Sequence, residues 1–447
     1  MIFSLSGSKC QVEGEIFLPG DKSITHRALF LSAISRGKTS IENYSTSEDC
    51  LTTVEVLKQL GVKFKYKSKR EIIAFGKGLD GLNKPGKDIF IKESGTTFRL
   101  LLGILAGQFF LSKVCAGKSL SKRPMSRVTQ PLRLMGACIS SANRRLTSAV
   151  YHPAEEYPPI TISSGGLKGI VYKMPVASAQ VKSAILLAGL YASGLCKIVE
   201  PVKTRDHTER MLKLFKAGIK ISGNNILLEG GRNLVSPEKI YIPGDISSAS
   251  FFIVLASILP RSKLVIRNVG LNSTRCGMIK VLKRMGAEIK IKELRLKSKE
   301  CEPVGDLIIK SSKLRGTLVT EKEIPSLIDE LPVLMVAAAY ANGKSIFRGV
   351  GELRVKETDR IRSMSENLRK MGADIEVHKS AKSIDIIIRG KGALKGAKVS
   401  SFNDHRTAMS LVVAGLHAEG RTVIDNISCI SKSFPGFIAY IKKIVEK

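Results

Sequence analysis

The 447-residue chain has no tryptophan, and aromatic residues make up only 6% of it. That scarcity leaves little from which to build a base-stacking platform. One basic block alternates with rings, Lys63-Phe64-Lys65-Tyr66-Lys67, and two rings at strand spacing read as an amphipathic strand. The eight cysteines (10, 50, 115, 138, 196, 276, 301, 429) include no CxxC pair. The six histidines (26, 152, 207, 378, 405, 417) form no HxH or HExxH. A disulfide framework and a zinc site are therefore not expected. The longest apolar runs, near residues 100–111 and 331–341, are too short to cross a bilayer. Residues 1–5 show no basic n-region before an apolar core, so no signal peptide is expected and the chain reads as cytoplasmic. No GxGxxG follows a predicted strand, which argues against a dinucleotide site. Gly37-Lys38-Thr39, Gly117-Lys118-Ser119 and Gly343-Lys344-Ser345 look like the end of an NTPase phosphate loop. The glycine required five residues earlier is replaced by Ser32, Ser112 and Ala338.

What the chain has in excess is positive charge, +33. Such a balance favours anionic partners. Much of the lysine lies beside apolar residues in strand-like patterns, as at 63–69 and 290–299, and reads as solvated faces with a minority gathered in one anionic site. A nucleic-acid-binding protein stays open as a distant alternative, marked by salt-sensitive binding. The hydrophobic content of 43% and the length imply sizeable cores and two or three domains.

One pattern recurs six times: a small or polar turn with a nearby charge, then a long apolar helix. The copies start near Gly20-Asp21-Lys22-Ser23, Glu93-Ser94-Gly95-Thr96, Ala177-Ser178-Ala179-Gln180, Gly244-Asp245-Ile246-Ser247, Ser326-Leu327-Ile328-Asp329-Glu330 and Phe402-Asn403-Asp404-His405-Arg406, at spacings of 67 to 84 residues. A second pattern follows most of them: Leu57-Lys58-Gln59-Leu60-Gly61-Val62, Leu132-Arg133-Leu134-Met135-Gly136-Ala137, Leu282-Lys283-Arg284-Met285-Gly286-Ala287 and Leu368-Arg369-Lys370-Met371-Gly372-Ala373. Residues 212–218 are a variant with one extra residue. Each copy ends a helix at glycine and enters an alternating strand, such as 288–292 or 374–377. Pro-Gly-Asp at 19–21 and again at 243–245 divides the six units three and three. The expected domains are 21–245, and 246–447 joined by 1–20 with an N-terminal strand at 9–18. Units of this kind make an α/β fold. Their first helices are apolar all round and are expected to be buried, with their polar starts facing one anion-binding cleft.

Collected, the starts offer Lys22, Ser23 and Arg27; Gly95, Thr96 and Arg99; Ser178 and Gln180; Asp329 and Glu330; Asp404 and Arg406. The stretch 354–360, Arg-Val-Lys-Glu-Thr-Asp-Arg, precedes Ile361, Met364, Leu368 and Met371 at helical spacing, and Arg123-Pro124-Met125 belongs with the set. Cations, hydroxyls and an amide suit a ligand with phosphate and carboxylate groups. Asp329 and Glu357 suit general acid–base work. Each residue taken singly has a plainer reading. Ser23, Thr96 and Ser178 read equally as N-caps, Asp329 as a cap of its own helix, Arg406 as a partner of Asp404, and Glu357 as a salt-bridge partner of Arg360.

These motifs, with Lys122-Arg123-Pro124-Met125, Ser178-Ala179-Gln180 and Asn403-Asp404-His405-Arg406, closely resemble the EPSP synthase family, the 3-phosphoshikimate 1-carboxyvinyltransferases, over nearly the whole chain. The resemblance implies transfer of the enolpyruvyl group of phosphoenolpyruvate (PEP) to the 5-hydroxyl of shikimate 3-phosphate. It implies a two-domain inside-out α/β barrel of six βαβαββ repeats, three per domain, that closes on substrate without metal or cofactor. Lys22, Ser23, Arg27, Ser178, Gln180, Asp329 and Lys356 should then hold shikimate 3-phosphate, with Arg205 a further candidate. Lys22, Gly95, Arg123, Gln180, Arg360, Arg406 and Lys432 should hold PEP. Asp329 would take the hydroxyl proton and Glu357 protonate the PEP methylene, with Lys22 sharing the proton transfers. Small-molecule substrates, no specific nucleic acid, no membrane and a monomer are expected.

Three positions depart from the family pattern. Glu93 and Glu352 stand where Asn is common, and Ala179 where a second Ser is common. The segments 178–180 and 123–125 resemble glyphosate-tolerant forms, whereas Gly95 resembles sensitive ones; Gly95→Ala should crowd glyphosate more than PEP. The rival reading is the sister family that uses a UDP-amino sugar as acceptor. That family carries a catalytic cysteine a few residues before its Arg-Pro, whereas Cys115 lies eight residues before Arg123.

Overall fold

The computed structural model describes residues 2–7, 10–146, 154–294, 302–380 and 383–446. Lys9 of the expected N-terminal strand, His152 and Cys301 lie outside the described residues. The chain forms two compact units. One is Gly20–Ile242 together with Glu302; the other holds the remaining described residues. Each has its own continuous apolar core.

In the Gly20–Ile242 unit the three apolar stretches lie in helices Lys22–Ala33, Gly95–Leu105 and Ala179–Gly189, whose polar residues cluster towards their starts and which pack together. The other unit has Ile246–Ile258, Leu331–Tyr340 and His405–His417 in the same relation. Every residue of Ile246–Ile258 and of Leu331–Tyr340 is buried. A helix with no polar face is stable only inside a core, where each fully buried Leu or Phe contributes about 1.5–3 kcal/mol.

Sheets flank these helices and repeat one plan. In the first, Lys239–Tyr241 runs parallel to Arg36–Glu42, which pairs antiparallel with Glu71–Lys77, which pairs antiparallel with Lys63–Ser68. Ile89–Ile91, Ser112–Ala116, Ala154–Ser163 and Cys138–Leu146 follow the same order, as do Val171–Lys173, Leu195–Val199, Asn225–Glu229 and Gly218–Ser222. The other unit repeats it with Gln11–Phe17, Lys263–Gly270, Val304–Lys310 and Glu288–Glu293, and with Leu318–Val319, Asn342–Phe347, Ile384–Lys391 and Asp374–Lys379. Its third sheet is short: Lys398–Val399 beside Gly420–Ile424, completed by Phe3–Gly7. Residues alternate between core and surface along the strands, as in Ile89-Phe90-Ile91, where only Phe90 is exposed.

The helix-ending glycines behave as their position predicts. Gly61, Gly136, Gly286 and Gly372 all have positive φ, between 85° and 109°. In the variant copy the helix is His207–Leu214, and Lys216, not Gly218, takes the left-handed conformation at φ 64°. Lys216 follows the C-cap Phe215 just as Gly61 follows Leu60, so the turn keeps its place and the expected extra residue is not in it; a lysine stands where the other copies have glycine, and it takes the left-handed conformation less easily.

Candidate active site

The polar starts of the buried helices are joined by side-chain contacts within each unit. In the Gly20–Ile242 unit, Arg27 is buried and spans two elements. Its Nε donates to Thr208 Oγ1 (2.6 Å) and its Nη2 to Ser183 Oγ (2.7 Å), while Nη1 returns to the Ser23 carbonyl (2.8 Å). Burial pushes its pKa down to about 10; Glu209 opposes this and Arg205 adds to it, which places Arg205 in the same neighbourhood. Lys22 pairs with Asp49 at 2.8 Å. Arg99 Nη1 donates to Gln180 Oε1 (2.7 Å), whose Nε2 donates to Thr96 Oγ1 (2.9 Å). Arg99 Nη2 also reaches the Pro124 carbonyl at 3.3 Å, tying the Arg123 segment to the same two helices. A methyl group at Gly95 would meet Arg123 Nη1 at 2.8 Å, so the bare backbone there makes room for that guanidinium.

In the other unit Arg360 is the centre. It is 1% exposed. Nε donates to Asp404 Oδ2 (3.0 Å), Nη2 donates to Glu357 Oε2 (2.5 Å), and Nη1 lies 3.6 Å from Asp329 Oδ1. Burial works against its charge, but Asp404, Glu357 and Asp329 outweigh burial and raise its pKa. Arg406 donates through Nη1 to the Asp329 carbonyl (2.7 Å). Lys356 has its pKa lowered, first by burial and then by Arg360, with Asp329, Glu352 and Glu357 opposing. Lys432 ends the short turn Ser428–Lys432, which packs on the His405–His417 helix.

The plain readings of these residues divide. Ser178 does cap its helix, accepting from Val181 N at 3.4 Å. Glu357 does pair with Arg360. Ser23 is not the cap of its helix; Asp21 is, accepting from Ile24 N. Ser94 and not Thr96 caps the next, accepting from Thr97 N. The Leu331–Tyr340 helix starts from Glu330 with no side-chain cap, so Asp329 is not spent as one. Asp404 accepts from the Arg406 backbone (2.8 Å), and the Arg406 guanidinium goes to Asp329 instead. Glu93 accepts from Ser119 N (3.2 Å) and Leu120 N (2.8 Å), holding the turn that leads to Arg123. The departure from Asn at 93 therefore acts as a loop anchor.

Two parts of the site were not singled out from sequence. Arg275 is buried beside Ser247 and Glu330. Lys182, wholly buried, pairs with Glu200 (3.0 Å) and Glu209 (2.6 Å) behind Arg27's partners. A signal for Arg275 existed: Arg123, Arg205, Arg275 and Arg360 each stand at the start of the second helix of a repeat.

Buried His26 is not poised for proton transfer. It is held neutral by burial and by Lys22 and Arg27, and bonds Thr53 at 2.8 Å. Cys115 lies in the Ser112–Ala116 strand with its thiol pushed up by burial and by Asp88, unlike an activated nucleophile. No helix among the described residues is long and apolar enough to cross a membrane.

Comparisons with known proteins bear on the family and the fold. The family model described as EPSP synthase (3-phosphoshikimate 1-carboxyvinyltransferase) matches residues 8–441. The chain is 45% identical over 435 residues to the 3-phosphoshikimate 1-carboxyvinyltransferase of Desulforamulus reducens, covering 97% of each chain. It is 44% identical over 440 residues to that of Pelotomaculum thermopropionicum, covering 98% of each. The structure is similar to EPSP synthase from Acinetobacter baumannii, with a TM-score of 0.85 at 40% identity and full coverage of both chains. The enolpyruvyl transferase NikO from Streptomyces tendae shares the fold at 16% identity, with a TM-score of 0.76 and coverage of 100% and 98%. With a family match across nearly its whole length and relatives at this identity, the chain belongs to the EPSP synthase family of 3-phosphoshikimate 1-carboxyvinyltransferases.

Proposed function

We propose that the residues joined at these helix starts perform the transfer that family membership brings, from PEP to the 5-hydroxyl of shikimate 3-phosphate in the shikimate pathway. Lys22, Ser23, Arg27, Ser178, Gln180 and Arg205, with Asp329 and Lys356, bind shikimate 3-phosphate. Lys22, Gly95, Arg123 and Gln180, with Arg360, Arg406 and Lys432, bind PEP. The observation that carries this reading is the Arg360 guanidinium. It is fully buried, yet contacts three carboxylates, two of which are the proposed proton carriers. A buried arginine so placed offers a planar, charged fork for a ligand carboxylate.

Asp329 accepts the proton of the 5-hydroxyl as its oxygen bonds to C2 of PEP. Glu357 delivers a proton to the C3 methylene, and the electron pair of the double bond forms that C–H bond. The PEP carboxylate competes for Arg360 and loosens its grip on Glu357, leaving that carboxyl to carry the proton. The product of addition is a tetrahedral intermediate. Loss of a C3 proton, to Glu357 or Lys22, re-forms the double bond as phosphate departs. The surrounding cations stabilise the leaving charge. The reading places the protein in the cytoplasm.

Glu357→Gln tests the assignment. It keeps the shape and removes the acid, so kcat should fall about a hundredfold or more while substrate binding stays within a few-fold. Loss of binding with unchanged turnover in the bound state would refute the role.

A further inference from the structure

Arg275 lies just before the Gly277–Arg284 helix, and its side chain is 3% exposed. Nη2 donates to Ser247 Oγ (2.5 Å) and lies 3.6 Å from Glu330 Oε1 and 3.9 Å from Asp245 Oδ1. Nη1 lies 3.8 Å from Asp329 Oδ2. Ser247 itself hydrogen-bonds Glu330, and its backbone N–H donates to Asp245 (2.8 Å). The guanidinium is therefore fixed from behind by the start of the Ile246–Ile258 helix. Its Nη1 faces Asp329, and Glu330, the next residue in sequence, lies beside Nη2.

One of these, Glu330, is wholly buried, and its Oε2 accepts no hydrogen bond among the described residues. A plain reading follows: Arg275 only neutralises a buried carboxylate, as a buried charge requires. The geometry around Asp329 goes further. Oδ1 faces Arg360 at 3.6 Å, and Oδ2 faces Arg275 at 3.8 Å and Arg406 at 3.9 Å. Arg360 and Arg406 are the proposed PEP clamps, so a bound anion draws on their charge. Arg275 is not among the proposed PEP clamps, and it is held in place by Ser247 and Glu330.

We propose that Arg275 is a positioning residue for Asp329, keeping that carboxylate ionised and aimed while Arg360 and Arg406 are engaged by PEP. The inference rests on the assignment of Asp329 as the proton acceptor. Removing the cation destabilises the ionised form of Asp329, so a higher pH is needed to reach it and the acid limb of the rate profile moves up.

Arg275→Gln alone strands Glu330 and risks misfolding, so the informative variant is Arg275→Gln with Glu330→Gln, measured against Glu330→Gln alone. Thermal unfolding checks the fold, and kcat/KM for shikimate 3-phosphate is followed across pH. The expected result is an acid limb about half a pH unit higher or more, kcat lower by about tenfold, and KM for PEP within about twofold. Arg275→Lys, which keeps the charge, should restore most of the limb. A double variant that folds and gives the same limb and kcat as Glu330→Gln overturns the proposal. Asp329→Asn is run alongside. If it loses turnover while the limb of the double variant stays put, only the role of Arg275 fails. If it keeps its rate, the assignment of Asp329 fails, and this inference with it.

Discussion

A Cβ at Gly95 would lie 2.8 Å from Arg123 Nη1 and 3.1 Å from Arg99 Nη1. Both contacts are with the ends of flexible side chains, so Gly95→Ala should fold and displace Arg123 instead. From sequence alone the methyl is expected to crowd the inhibitor more than PEP. The structure adds that a proposed PEP clamp moves as well. KM for PEP should rise by about tenfold, ~1.4 kcal/mol of lost binding, with kcat nearly unchanged and glyphosate inhibition weakened more. Inhibition and KM curves on the one variant check this. Lys356 supplies a pH-dependent counterpart. Its pKa is held below the ordinary lysine value by burial and Arg360, so its charge is present at low pH and lost as pH rises through that lowered value. The grip on shikimate 3-phosphate should weaken over the same alkaline range. Lys356→Arg, which does not deprotonate there, should move that alkaline limb in KM up by about one pH unit or more. The residue types of the site were legible in the sequence because they recur at equivalent helix starts. Arg275 is marked only by its place at the start of a second helix, and its partner Glu330 reads in sequence as one more acid of a helix start.

At the scale of elements, the six apolar helices and the glycines that end their followers were legible from periodicity and turn chemistry. Which side chain wraps back to cap each start was not. Asp21 and Ser94 are the caps, although Ser23 and Thr96 are residues of the same capping types. Repetition locates a helix start to within a residue or two, whereas capping depends on a single rotamer and backbone turn. The Arg360–Lys370 helix shows what this means for function. Its cap is Asp359, which accepts from Arg362 N (3.1 Å) and pairs with Arg354 (3.4 Å). Both residues thus hold the first turn that presents Arg360 and Glu357. Asp359→Ala should cost about 1 kcal/mol, lowering Tm by about 2–4 °C for a unit of this size. It should also lower kcat/KM for PEP, because Arg360 is the first residue of the helix. Asp359→Ser, which caps equally well, should recover both; calorimetry and kinetics on the pair distinguish capping from charge.

At the scale of the molecule, the six-fold repetition and the two Pro-Gly-Asp turns were readable because each repeat is a contiguous stretch of 67 to 84 residues. The closure of the sheets was not. Lys239–Tyr241 returns to pair with Arg36–Glu42, and Phe3–Gly7 completes a sheet built from the far end of the chain. Such pairings join segments that no local pattern relates. The charge of +33 has a consequence at this scale too: affinity for two anionic substrates should fall as salt rises. The central claim is the acceptor. Phosphate release from PEP should be rapid with shikimate 3-phosphate and absent with UDP-N-acetylglucosamine. Release only with the sugar nucleotide, or with neither acceptor, would contradict the account.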